Sequence, residues 1–285
     1  MTINKPLLAS IHFINSNCLK FLLLLGVFFT VACSDWTKEK PLSTIKIEFW
    51  YEQQVLGCGQ NLNRETINWG IEQFAFFISD INLTQQGEKQ PLVLQTNDWQ
   101  RAGIALIRFD NSQCGPDRLM SSESGDNDTA ALGFQNLQFA EPIQWADESQ
   151  LNFTLGLPFT LNHLNPLTQP SPLNIPSMFW SWRGGHKFLR LDMINEKQAW
   201  TFHLGSTGCT SASAMRSPQI ECTNPNNVQI SLARQQQGEY LIVHLDKLLL
   251  GIELDTKSSC LMQPGKKSCQ LLMTNLAENG VFEWR

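Results

Sequence analysis

The sequence is poor in charge and lacks the signatures of common catalytic chemistry. Only 16% of its 285 residues are Asp, Glu, Lys or Arg, while 42% are hydrophobic and 10% aromatic. A disordered chain is excluded, because this much apolar surface can offset the entropy of ordering. Its main apolar run, FLLLLGVFFTVA from Phe21 to Ala32, is about 12 residues, too short to cross a hydrocarbon core of about 30 Å as a helix. There is no G-x-S-x-G, H-E-x-x-H, P-loop or G-x-G-x-x-G, so serine-hydrolase, zinc-protease and nucleotide chemistry have no foothold. No C-x-x-C pair is present, which argues against a structural zinc site. No internal repeat appears, and no long amphipathic helical pattern outside HLDKLLLGIEL, where a helical turn fits.

The first 33 residues are set apart from the fold. Lys5 and Lys20 precede the apolar run, small residues follow it, and Cys33 closes it, the layout of an export signal. Thr30-Val31-Ala32-Cys33 resembles a bacterial lipobox, which implies a lipidated Cys33 and, with Ser34 next, the outer membrane; ordinary cleavage nearby is the alternative. The leader holds two lysines and no acid, so 19 of the 21 basic residues remain against all 26 acidic ones, a formal charge of −7. Nucleic acid is excluded as a partner, since its binding rests on clustered Lys and Arg.

Six cysteines remain beyond the leader, and in an exported protein six read as three disulfides. Six cysteines allow 15 pairings and the sequence alone does not choose among them; the expected set is Cys58–Cys114, Cys209–Cys222 and Cys260–Cys269, since the last two pairs each close a short loop rich in turn residues. Alternating stretches such as TIKIEFWYEQQVL, FAFFISDINL, IALIRF, LNFTLGL, KFLRLDM, QAWTFHLG and YLIVHL read as strands separated by turn-rich loops. The expected architecture is an all-β, antiparallel sandwich with long decorated loops and disulfide staples. Residues 34–44 form a linker and residues 45–285 a single domain, with a loop over 115–130.

Four histidines follow the leader. His163 stands after a strand at the mouth of a proline-rich loop, and His203 at or near a strand end beside a disulfide loop; a neutral imidazole in either place can ligate a metal. His244 reads as a structural strand residue. Trp180 and Trp182 share one face of a strand by the period of two, with Met178 alongside. The plain reading is a core-facing aromatic pair. The sharper one is a Met, Trp and His surface for a soft ion such as Cu(I), because the acids are too scattered for Mg²⁺ or Ca²⁺.

The block LGLPFTLNHLNPLTQPSPLNIPSMFWSWRGGHKFLRLDM, followed by FHLGSTGC and a later Cys with NPNN, resembles the MbnP family of periplasmic copper-binding proteins. The likeness continues through FAFFISDINL, PLVLQTNDWQ and IALIRFDNSQC, from about Ile45 onward. It implies that a di-haem, MauG-like partner, MbnH, oxidises a tryptophan to kynurenine, which then helps histidines hold copper. Carried over residue by residue, Trp180 and Trp182 match the family's Trp-x-Trp, His163 its Asn-His and His203 its Phe-His-Leu-Gly. His186 stands where the family often has Tyr, and is a further candidate ligand. The resemblance implies no catalytic activity of the protein's own. A carbohydrate- or envelope-binding lipoprotein without metal is the alternative.

Overall fold

The computed structural model describes residues 42–285, apart from 58, 65, 102, 110–135, 214 and 236. Cys33, the Cys58–Cys114 pair and the loop expected over 115–130 therefore lie outside the described residues. Sixteen strands lie among those described: β1 (Leu42–Tyr51), β2 (Gln54–Val55), β3 (Asn61–Arg64), β4 (Ile67–Gln85), β5 (Glu88–Pro91), β6 (Gln100–Arg101), β7 (Ile104–Phe109), β8 (Asn136–Ile143), β9 (Gln150–Leu155), β10 (Phe179–Ser181), β11 (Gly185–His186), β12 (Leu189–Ile194), β13 (Ala199–Leu204), β14 (Val228–Ala233), β15 (Tyr240–His244) and β16 (Phe282–Trp284).

The strands form two main sheets. The smaller runs β16-β15-β1-β2 with β8 also on β1; the larger is built around β4, which pairs in turn with β3, β12, β7, β9 and β5. All pairings between these strands are antiparallel except β1 with β15. A β-sandwich results because aromatic side chains from the facing sheets meet between them. Phe49 of β1 lies 5.2 Å from both Phe74 of β4 and Phe109 of β7, and Phe282 of β16 lies 5.4 Å from Phe153 and 5.7 Å from Phe76. Such tilted and edge-on ring pairs each add about 0.5–1.5 kcal/mol beyond area burial.

The all-β architecture expected from the alternating segments is present, and Cys209–Cys222 and Cys260–Cys269 are bonded as their spacing suggests. One element departs from expectation. Lys267–Glu278 is a three-turn helix whose Cys269, Leu272 and Leu276 fall on one buried face, while Asn275 donates to the carbonyls of Leu248 and Leu250. No helix among the described residues is long and apolar enough to cross a membrane.

The feature that makes a site is the second face of the large sheet. Alternation would leave that face of β4 to solvent, yet Phe74, Ala75, Phe76, Phe77 and Ile78 are all fully buried. The layer 157–188 lies on that face, contributing Leu157, Leu173, Met178 and Phe188 to the core; Phe77 N–H donates to the Phe188 carbonyl at 2.8 Å. Side chains caught between sheet and layer are neither ordinary core nor surface.

Candidate functional site

The pairing of β12 with β13 sets Arg190 opposite His203 and Asp192 opposite Thr201. In both strands the alternate residues Leu189, Leu191, Phe202 and Leu204 enter the sandwich core, so Arg190, Asp192 and His203 project toward the covering layer. There His203 Nε2 lies 2.6 Å from Asp192 Oδ1. Asp192 is only 6% exposed, and its other oxygen accepts from Arg190 Nε at 2.5 Å. Burial pushes this carboxyl's pKa up, but the hydrogen bond and charge of His203, then Arg190, outweigh it and hold the carboxyl below its ordinary value. A carboxylate only accepts, so whenever the His203 ring is neutral its single proton sits on Nε2. Nδ1 is left with the lone pair and forms no hydrogen bond among the described residues.

Arg190 Nη1 and Lys187 Nζ both donate to the Ser177 carbonyl, at 3.2 and 2.7 Å, tying the covering layer to the sheet. Lys187 is buried, and that burial, helped by the nearby Arg190 charge, lowers its pKa to about 8.

His163 ends the short helix Phe159–Asn162 and is 7% exposed. Asn162 is the hub beside it. Its Nδ2 lies 3.1 Å from His163 Nε2 and donates to Ser206 Oγ at 3.2 Å, and its Oδ1 accepts from the His186 backbone N–H at 2.7 Å. His163 Nε2 therefore accepts, which places the ring proton on Nδ1, a buried atom with no hydrogen-bond partner of good geometry. Burial lowers the His163 pKa, with the Trp182 carbonyl pulling the other way. Cys222 Sγ lies 3.5 Å from Nε2, and His163, Cys209 and Cys222 form a compact group of potential metal-ligating atoms among the described residues. The two sulfurs are joined in a disulfide, so neither is a thiolate ligand.

The tryptophans differ from their expected disposition. Met178 ends a 3₁₀ turn and is fully buried in the core, Trp180 lies on the three-residue β10, and Trp182 falls in the turn to β11. The period of two ends at Ser181, so the three side chains do not share a strand face. Both indoles are half-buried, and neither Nε1 is hydrogen-bonded among the described residues, unlike Nε1 of Trp50, Trp200 and Trp284. Trp182 packs edge-on to Phe179 at 5.9 Å, and Phe179 to His186 at 5.1 Å.

Two glycines make this packing possible. A Cβ on Gly205 would stand 2.7 Å from Trp180 Cζ3 and 2.9 Å from the His186 carbonyl oxygen, so the indole edge rests on bare backbone two residues beyond His203. Gly185 has φ +76°, and a Cβ there would stand 2.5 Å from Asn162 Oδ1.

His186 is fully buried, with Nδ1 2.6 Å from the Asn162 carbonyl oxygen and Nε2 2.9 Å from that of Leu173. Neither nitrogen points a lone pair at open space. His244 lies on the small sheet and meets Glu283 at 3.0 Å. The structure thus gathers His163, Trp180 and His186 around Asn162 and Gly205, with Trp182 packed on Phe179 beside them, and sets His203, paired with Asp192 of β12, on the strand β13 that leads into Gly205. No hydrogen bond or ring contact joins His163 to His203 among the described residues. Asn162 and Asp192 were not singled out from the sequence; the Asn of LNH and the acid in the strand RLDM were the available signals.

An open groove of about 660 Å³ elsewhere is lined by polar residues including Asp80, Asn82, Asn152, Gln229 and Ser231 and by no aromatic side chain.

The family model for MbnP matches residues 40–263. Among solved structures, MbnP from Methylosinus trichosporium superposes with a TM-score of 0.67 at 20% identity, over 81% of this chain and 86% of that one. No curated protein sequence matches.

Proposed function

Since the chain belongs to the MbnP family, we propose that it is an exported copper-binding protein in which Trp180 or Trp182 is oxidised to kynurenine by a di-haem partner. Family membership supports a role in the copper system; the ligands and the modification are our reading. In this reading the protein has no catalytic activity, is anchored to the outer membrane through Cys33, and holds copper as Cu(I).

The observation that carries the proposal is the state of the imidazoles. His203 offers an open lone pair at Nδ1, and His163 is a neutral ring whose buried Nδ1 is unsatisfied. These nitrogen donors suit a borderline-to-soft ion, whereas Mg²⁺ and Ca²⁺ require oxygen. His203 would bind through Nδ1. His163 would bind through Nε2 by displacing the neutral amide donor of Asn162. The bound metal would supply an electrophilic centre that gathers these lone pairs.

Opening an indole adds what the two rings lack. Native Trp offers only an N–H donor, whereas kynurenine presents an aryl amine and a ketone oxygen. Because both indoles are half-buried with unpaired Nε1 groups, each can be reached and converted without breaking an internal hydrogen bond. Intact-mass measurement after coexpression with the di-haem enzyme tests the proposal. A net gain of one oxygen and loss of one carbon, about 4 Da, is expected, and either Trp180→Phe or Trp182→Phe abolishes it. Unchanged mass in the wild type refutes the modification.

A further inference from the structure

Asp192 is a buried acid that the copper reading does not by itself require. Its geometry is unusually constrained. Oδ1 faces His203 Nε2 at 2.6 Å, Oδ2 faces Arg190 Nε at 2.5 Å, and Arg190 is itself fixed by Nη1 donating to the Ser177 carbonyl. Both carboxylate oxygens are thus assigned to donors. From this arrangement we infer that Asp192 is a positioning residue for the copper ligand His203, holding the ring as the Nε2–H tautomer so that Nδ1 faces the metal, with Arg190 setting the orientation of Asp192.

The inference rests on His203 being a ligand, and its physical basis is general. A metal-bound imidazole needs its other nitrogen protonated, and a carboxylate acceptor on that nitrogen fixes the tautomer, restricts ring rotation and raises ligand basicity. Here the acceptor is supplied from the neighbouring strand, two residues beyond the direct cross-strand partner Arg190 and on the same face, so the backbone register itself sets the approach.

Arg190 makes the consequence of one substitution definite. In Asp192→Asn the amide must give its single oxygen to Arg190 Nε, which only donates. Its NH₂ then faces His203 Nε2, which has to become the acceptor, and the ring proton moves to Nδ1. The lone pair needed for the metal is lost with almost no change in shape. Replacing Arg190 as well frees the amide to turn its oxygen toward His203.

The test uses the ¹⁵N-labelled exported protein without metal. Long-range ¹H–¹⁵N correlation spectra of the imidazoles should show His203 as Nε2–H in the wild type, Nδ1–H in Asp192→Asn, and Nε2–H again in Arg190→Leu/Asp192→Asn. Cu(I) affinity, measured by competition with a chromophoric chelator, should fall by about 10–100-fold in Asp192→Asn and recover in the double variant. A wild-type Nδ1–H ring, or an Asp192→Asn variant with unchanged tautomer and affinity, overturns the inference. So does a loss that the double variant fails to restore, which marks Asp192 as merely structural. Wild-type protein that takes up no Cu(I), or His203→Ala that binds as well as wild type, defeats the ligand reading instead, and the spectra still decide the tautomer.

Discussion

Replacing Asn162 by Ala is the sharpest probe of how the covering layer is held. The side chain is 1% exposed and serves three neighbours: the His186 backbone N–H, Ser206 Oγ and His163 Nε2. Truncation leaves the buried His186 N–H without its acceptor, at a cost of about 1–3 kcal/mol. Ser206 keeps its donation to the Pro225 carbonyl and loses only an incoming bond. A cavity remains against Gly185, whose missing Cβ cannot fill it, adding about 1 kcal/mol. The sum is about 2–4 kcal/mol, which at about 2–4 °C per kcal/mol for a domain of this size lowers Tm by roughly 4–16 °C. Urea unfolding followed by tryptophan fluorescence measures it. A change below about 0.5 kcal/mol, typical of surface substitutions, would refute the claim that Asn162 joins helix, hairpin and strand end.

Gly205→Ala drives a methyl into Trp180 and the His186 carbonyl and should destabilise by about 1–3 kcal/mol, whereas Gly184→Ala meets chiefly the movable Ser181 Oγ at 3.1 Å and should cost less; paired thermal melts compare them. Removing the Cys209–Cys222 bridge by double Ser substitution opens a loop of 13-residue separation and should cost about 3 kcal/mol, read as a drop in Tm. Lys187 gives a pH signature. Its folded pKa of about 8 lies below the ordinary lysine value of 10.5, so the unfolded chain binds more protons between those values. The burial penalty is thus fully present below pH 8 and relieved as pH rises to 10.5. Relative to Lys187→Met, wild-type stability should climb across that window in urea titrations at successive pH values; a flat difference contradicts the burial.

Much of this was legible in the sequence because strands with one buried face alternate visibly. LNFTLGL, KFLRLDM and QAWTFHLG became β9, β12 and β13. The helix Lys267–Glu278 escaped notice although Cys269, Leu272 and Leu276 have helical spacing. It begins with Lys266 and Lys267, which oppose the helix dipole, and has no side-chain cap, so the usual start signal is missing. The parallel β1–β15 pairing joins segments almost two hundred residues apart, and no local pattern encodes that. His163, His203 and the two tryptophans stood out by type and resemblance. Asp192 did not, since a lone acid in an alternating strand reads as a solvated residue until the layer above it is known. Trp182 left the expected face because Gly184 and Gly185 turn the chain two residues later, a tertiary demand made by Asn162.

The central claim is that His203, with His163 and one modified tryptophan, holds a single copper ion. Competition titration of the protein with Cu(I) tests it most directly. The account predicts one Cu(I) per chain, with affinity falling at least about tenfold in His203→Ala while the fold is retained. No copper uptake by the wild type, or equal affinity in His203→Ala, would contradict it.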